Sequence, residues 1–332
     1  GGSECKTCPV GRTANEQKGS TVCEKCRQGK YLQYQYNPRF PNSKIECKDC
    51  PAGWHSDDLD GAASCKACSA GYYAEKASAV VCFECPSGKF SNVTESLECT
   101  KCAAGMYSNA GGFVVCKLCE LGRSSDYTGA LDCADCLAGK FSPNASMGCL
   151  DCPSGFYNGS KKAASCNLCE PGEYQDFKGR STCKSCPRGW VQNGKGRSTC
   201  LPCDSGKVAK NLGLQSCELC KPGKYQEEAG NMDCLSCPPG TFLTHEGGDE
   251  CVDCPIGQYS KEPEQAVCAS CEKGRWTSNR PGQTRCSVCE AGQFSNNATN
   301  ASCVECPRGY KRDAAEDAWK CSQCALGQFS DA

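Results

Sequence analysis

The stretch Cys85-Pro-Ser-Gly88-Lys-Phe90-Ser-Asn-Val-Thr-Glu-Ser-Leu-Glu-Cys99-Thr-Lys-Cys102 holds the plan of the whole chain. A glycine stands three places after the second cysteine of a C-x-x-C pair, an aromatic two places later, and a polar run leads to the next C-x-x-C. Outward from this stretch the pattern recurs in both directions. All 38 cysteines fall into 19 such pairs between Cys5 and Cys324, and their first cysteines are 17 residues apart in 12 of 18 steps. A fixed period means one small unit repeated in a row, so residues 1–332 read as a tandem array of about 18–19 units, an internal segment of a longer chain.

Composition limits what such units can be. Cysteine is about 11% of the residues, and taking it out of the 39% hydrophobic fraction leaves about 28%. That is too little apolar side chain for a continuous core, so covalent links must stand in for it. With 37 basic against 38 acidic side chains, overall charge recruits neither nucleic acid nor an anionic membrane. No apolar run approaches the roughly 18 residues that span a bilayer. The start, Gly-Gly-Ser-Glu-Cys5, has no charged or apolar leader segment.

The glycine after the second cysteine is present in all 19 units, which implies a backbone need: positive φ after a turn, or no room for a Cβ. Proline follows the second cysteine in several units, as at Pro86, Pro153 and Pro238, and suits a turn entry. The aromatic, present in 13 units from Tyr31 to Phe329, is expected to pack between neighbouring units, against the alternative of an exposed row for stacking on sugar or peptide. A second glycine, four places before the next cysteine in ten steps, marks a second turn, with a short irregular hairpin expected between the two. Glycines and cysteines interrupt any run long enough for helix.

Three chemistries use C-x-x-C. A thioredoxin-like redox site needs one tuned thiol in an α/β domain, whereas here the intervening residues change in every unit. A zinc ribbon resembles the pattern, but its spacing is longer and the context is extracellular. Asn92, Asn144, Asn158, Asn297 and Asn300 each begin an N-x-S/T sequon in the polar stretch beyond the glycine, and are expected N-glycosylation sites of a secreted or cell-surface glycoprotein. Disulfides are therefore the expected state. The pattern favours bonding the second cysteine of each pair to the first of the next. That gives Cys8 with Cys23, Cys26 with Cys47, Cys50 with Cys65, Cys68 with Cys82, Cys85 with Cys99, Cys102 with Cys116, Cys119 with Cys133, Cys136 with Cys149 and Cys152 with Cys166. It continues with Cys169 and Cys183, Cys186 and Cys200, Cys203 and Cys217, Cys220 and Cys234, Cys237 and Cys251, Cys254 and Cys268, Cys271 and Cys286, Cys289 and Cys303, and Cys306 and Cys321. Cys5 and Cys324 would then bond beyond the segment or stay reduced. The rival scheme joins first to first and second to second, and sequence alone does not decide between them.

The run Cys85-Pro-Ser-Gly-Lys-Phe90 and its copies Cys152-Pro-Ser-Gly-Phe-Tyr157 and Cys254-Pro-Ile-Gly-Gln-Tyr259 resemble the ephrin-receptor-like cysteine-rich repeat, which is similar to the single-disulfide module of tumour necrosis factor receptor domains. The resemblance implies small disulfide-rich repeats arranged as an elongated, solenoid-like rod of short β-hairpin loops with almost no helix. It implies an extracellular stalk, filament component or flagellar-hair-like fibre that contacts copies of itself or other extracellular proteins. The four-cysteine modules of tumour necrosis factor receptors are missing, which argues against cytokine binding. The alternative is a receptor or adhesion ectodomain that binds a protein ligand through an irregular repeat. One exists: residues 26–47 form a longer unit whose Tyr31, Tyr34, Tyr36 and Phe40 are a candidate contact.

No catalytic or metal site is expected. His55 and His245 have no partner at ligand spacing, Asp57-Asp58-Leu-Asp60 lacks the EF-hand pattern, and nothing resembles a phosphate loop. No enzyme, no cofactor beyond N-linked glycans and no nucleic-acid partner are expected.

Overall fold

A computed structural model describes residues 6–14, 20–32, 46–144, 148–295, 302–312 and 319–330. Among them there is no helix; regular structure consists of eighteen two-stranded antiparallel sheets, each a hairpin of very short strands. The chain divides into two units, one of Gly1–Cys152, Asn158–Asn167 and Gly179–Ser181, the other of Pro153–Tyr157, Leu168–Lys178 and Thr182–Ala332. The same repeat is built in each.

The repeat from Cys85 shows how the residues make it. Lys89 N donates to Pro86 O at 3.0 Å across a tight turn whose third residue, Gly88, has φ +81°. A turn with positive φ at that place is type II, where glycine is the residue without steric cost. Strand Lys89–Phe90 follows, and Thr100–Lys101 returns antiparallel to it with Lys89 opposite Lys101 and Phe90 opposite Thr100. The hairpin therefore closes between the first turn and the interior of the next C-x-x-C pair. Sequence reading placed the whole hairpin between the two turns; only its first strand, Lys89–Phe90, lies there, and its second strand, Thr100–Lys101, follows the second turn. The physical reason is that the disulfide Cys85–Cys99 holds the two chain segments together at Cα separation 5.6 Å, which is strand-pairing distance.

Over most of the described residues, a repeat is bonded to its successor through backbone. Gly88 N donates to Ser108 O at 2.9 Å, Ser91 N to Phe113 O at 3.1 Å, and Gly112 N returns a bond to Cys85 O at 2.9 Å. The other unit repeats this, with Gly189 N on Ala209 O at 2.9 Å and Gly213 N on Cys186 O at 2.9 Å. Two-residue strands alone would not persist in water; the disulfide and these inter-repeat bonds supply the missing order.

The second turn is present even where its glycine is not. Gly112, Gly129, Gly196, Gly213 and Gly230 have positive φ, and the residues at the same place in other repeats, Ser78, Glu95, Lys162 and Glu264, take φ of 61–65°. Left-handed backbone costs a non-glycine residue about 1–2 kcal/mol, which each of these four loops bears because its neighbours dictate the turn.

What is buried differs from the sequence expectation. The second cysteines form the core, with Cys50, Cys68, Cys85, Cys102 and Cys136 fully covered. The aromatics are half-buried, and Phe329 is exposed. They flank the bridges: Tyr259 of one repeat and Trp276 of the next both pack against Cys271 and Cys286. The fully buried column is instead the residue after the aromatic, and it is mostly small or polar: Ser91, Ser108, Ser142, Gln175, Gln192, Ala209 and Gln226.

Candidate functional site

The repeated interface is the most conspicuous chemical feature of the described residues, and it is assembled from side chains that brace backbone. In several serine repeats the buried hydroxyl donates two residues ahead, Ser125 Oγ to Tyr127 O at 3.1 Å and Ser260 Oγ to Glu262 O at 3.1 Å, whereas Ser108 Oγ donates back to Lys89 O at 3.3 Å. In the glutamine repeats the longer amide crosses the loop. Gln192 Nε2 donates to Thr199 O at 2.7 Å while its Oε1 accepts from Gly194 N at 3.0 Å, and Gln175 and Gln226 do the same with Thr182 and Asp233. Buried amides persist only when satisfied, so these residues tie the polar excursion to the hairpin. Their signal in the sequence was a run of Ser, Gln and Asn after the aromatic, which hydrophobicity alone discounts.

Eighteen disulfides join the second cysteine of each pair to the first of the next, from Cys8–Cys23 to Cys306–Cys321. Cα separations are 5.5 Å at Cys136–Cys149 and 5.9 Å at Cys306–Cys321, and the other bridges fall between. Cys324 is a free, partly exposed thiol, and Cys5 lies outside the described residues.

His55, solitary in sequence, is brought to a bridge 27 residues away: its Nδ1 stands 3.0 Å from Cys82 Sγ. With Cys68 it forms a cluster of three ligand-type atoms within 4.8 Å of one another. Cys68 and Cys82 are bonded to each other, so neither offers a thiolate, and the donor set does not fit a metal centre while oxidised. The acidic loop is equally closed: Lys66 sits 2.8 Å from Asp57 and Lys25 2.6 Å from Asp60. Hydrogen bonds from these lysines hold both carboxyls below their ordinary value.

The sequons divide. Asn92 and Asn144 are exposed. Asn158 is only 3% exposed, occupies the buried column, and its Nδ2 donates to both Lys140 O and Ser160 O at 2.8 Å. Both amide hydrogens are thus committed inside the fold, where Asn158 braces the loop. Asn297 and Asn300 lie outside the described residues, as do Tyr34, Tyr36 and Phe40 of the irregular repeat. Tyr31 is half-buried, paired with Lys48 in a hairpin and bridged in parallel to Ala62.

Arg123 provides the densest ion pairing, 3.1 Å from Asp132 and 2.9 Å from Asp135 across its own hairpin. The guanidinium bond holds the Asp132 carboxyl below its ordinary range. No helix among the described residues is long and apolar enough to cross a membrane.

Four segments, residues 57–98, 88–136, 139–179 and 206–249, match the family described as tyrosine-protein kinase ephrin type A/B receptor-like. No curated protein matches the chain. The matched segments cover complete hairpins of the kind built around Cys68–Cys82 and Cys220–Cys234, with the glycine turn, the half-buried ring and the bridge all inside them. These hairpins are ephrin-receptor-like cysteine-rich repeats, and the chain carries them in tandem.

Proposed function

We propose that the chain is a non-catalytic, extracellular structural element, a spacer in a cell-surface stalk or a filament. The observation that carries this is the continuity of repeat-to-repeat bonding. Gly88 reaches the repeat after its own through Ser108, and lies against the second repeat after its own at Gly129, where a Cβ would come 3.1 Å from the carbonyl carbon. Loops of this kind, from Gly11 to Gly240, are thus tied forward twice as well as stapled internally. Such a chain resists local opening, which is what a load-bearing spacer needs and a catalytic site does not. The disulfide density supports formation in an oxidising compartment. The protein's partners are other extracellular proteins, copies of itself among them.

Secretory expression followed by negative-stain imaging tests this reading. Extended particles or regular fibres are the expected result. A compact globule, or a chain that accumulates reduced in the cytosol, overturns it, and monodisperse stalks that capture a soluble protein ligand would replace it with a receptor ectodomain.

A further inference from the structure

Charge is not evenly spread along this nearly neutral chain. The three loops of residues 169–217 hold eight Lys or Arg against four acidic residues, whereas the rest of the chain holds 29 against 34. From residue 178 to 217 the only acidic residue is Asp204. Part of this surplus arises from a copied phrase, Lys178-Gly-Arg-Ser-Thr-Cys183 and Lys195-Gly-Arg197-Ser-Thr-Cys200, at equivalent places in consecutive repeats.

The structure sorts these cations. Lys184 is closed by Asp176 at 2.7 Å, Lys195 by Glu170 at 2.8 Å and Lys207 by Asp204 at 3.4 Å. Lys178, Arg188, Arg197 and Lys210 are exposed and have no ion-pair partner among the described residues, so three of the four nearby carboxylates are already spent on other lysines. The four come from three successive loops whose backbones are hydrogen-bonded. Arg197 O accepts from Gln175 N at 3.1 Å, which sets it beside the segment leading to Lys178. Gly189 N, next to Arg188, donates to Ala209 O at 2.9 Å, beside Lys210, and Gly172 N donates to Gln192 O at 2.6 Å between the two sets.

We propose that these three consecutive loops, through Lys178, Arg188, Arg197 and Lys210, bind a linear sulfated polysaccharide. The cations are spread over consecutive loops rather than gathered in a pocket, so a small anion would meet one of them in water and be screened. A polymer with a charge every few ångströms meets them in turn, and its released counterions drive the association. Guanidinium groups suit sulfate oxygens through paired N–H donors. The choice of a sulfated sugar over other polyanions rests on the extracellular reading above; the binding itself does not.

The test uses the full chain on immobilised heparin and in titrations with soluble heparin at several salt concentrations. The expected result is retention well above physiological salt for the native chain. The combined variant Lys178→Ser, Arg188→Ser, Arg197→Ser and Lys210→Ser should bind at least about tenfold more weakly at low salt. Its slope of log affinity against log salt should be shallower by about 3, at roughly 0.7 per lost contact. A control removing four exposed lysines elsewhere, Lys76, Lys101, Lys221 and Lys261, should bind like the native chain. Absence of retention, equal loss in the control, or binding to anionic vesicles or DNA in preference to heparin each overturns the proposal. A failure here with extended particles intact leaves the spacer reading standing, and compact particles that still bind heparin remove only the spacer.

Discussion

Gly189 and Gly230, 41 residues apart in sequence, lie backbone against backbone: a Cβ on Gly189 would overlap the carbonyl of Gly230, coming within 2.6 Å of its carbon. Gly189 is the first-turn glycine of one repeat and Gly230 the second-turn glycine two repeats on. Its φ of +82° adds a conformational requirement to the steric one. Gly292 has nearly the same φ, +80°, but nothing stands within 4 Å of its would-be Cβ. Replacing Gly292 by Ala is therefore expected to cost about 1–2 kcal/mol of left-handed strain. Gly189→Ala should cost more, because the neighbouring backbone must also move. Hydrogen exchange read around each substituted turn, over 189–231 in one variant and 289–295 in the other, checks this; equal effects would refute the close-approach account.

The reverse substitution should stabilise. Glu95 holds φ 62° at the second turn, and its side chain makes no hydrogen bond or ion pair among the described residues. Glu95→Gly relieves the strain but increases the entropy of the unfolded chain, leaving an expected net gain of about 0.5–1 kcal/mol. Glu264, at the equivalent place, is bonded to Lys224 at 3.1 Å and to Ser236 at 3.1 Å, so Glu264→Gly should gain less. Thermal unfolding of both variants gives the comparison.

Digestion of the unreduced protein should release peptides joined through Cys68–Cys82, Cys85–Cys99 and Cys203–Cys217. A peptide joining Cys82 to Cys99 would establish the rival connectivity. Replacing Cys203 and Cys217 together by Ser should cost about 3 kcal/mol, the entropy of closing a loop of about 15 residues. The loss should show as protease cleavage within 204–216.

Mass analysis before and after glycosidase treatment of secreted protein should find Asn92 occupied and Asn158 bare, since Asn92 is exposed and Asn158 is buried. Asn158→Ala should lower stability by about 1–3 kcal/mol by leaving Lys140 O and Ser160 O without their donor. A glycan found on Asn158 would contradict its buried placement.

Stability should be flat from about pH 5 to 8 and decline in acid. Asp49, Asp57, Asp60, Asp132 and Glu264 are all held below their ordinary values, chiefly by hydrogen bonds from Lys or Arg. A carboxylate lowered in the folded state adds stability that is complete above its unfolded value, here 3.8 for the aspartates and 4.5 for the glutamate, and is lost as pH falls through the folded value. All five are on the surface, so salt should shrink the effect. Melting temperature against pH at low and high salt measures it, and a transition near neutral pH would point to another group.

Sequence by itself determined the repeat, its period, the absence of helix among the described residues and the positions of the first turn. Those follow from local needs: a glycine where φ must be positive, and cysteines too dense for any other core. Its glycine count under-reported the second turn, because Ser78, Glu95, Lys162 and Glu264 are forced into left-handed backbone by repeats that lie elsewhere in sequence. Which residue is buried was likewise decided by tertiary structure. The ring at Phe90 was the obvious candidate, yet the chain closes over Ser91, since successive loops approach to backbone hydrogen-bonding distance and leave room for a small or bracing side chain and none for an aromatic. The setting of His55 beside the Cys68–Cys82 bridge, and of Arg197 beside Gln175, also depends on stacking between loops, a relation that no local pattern encodes.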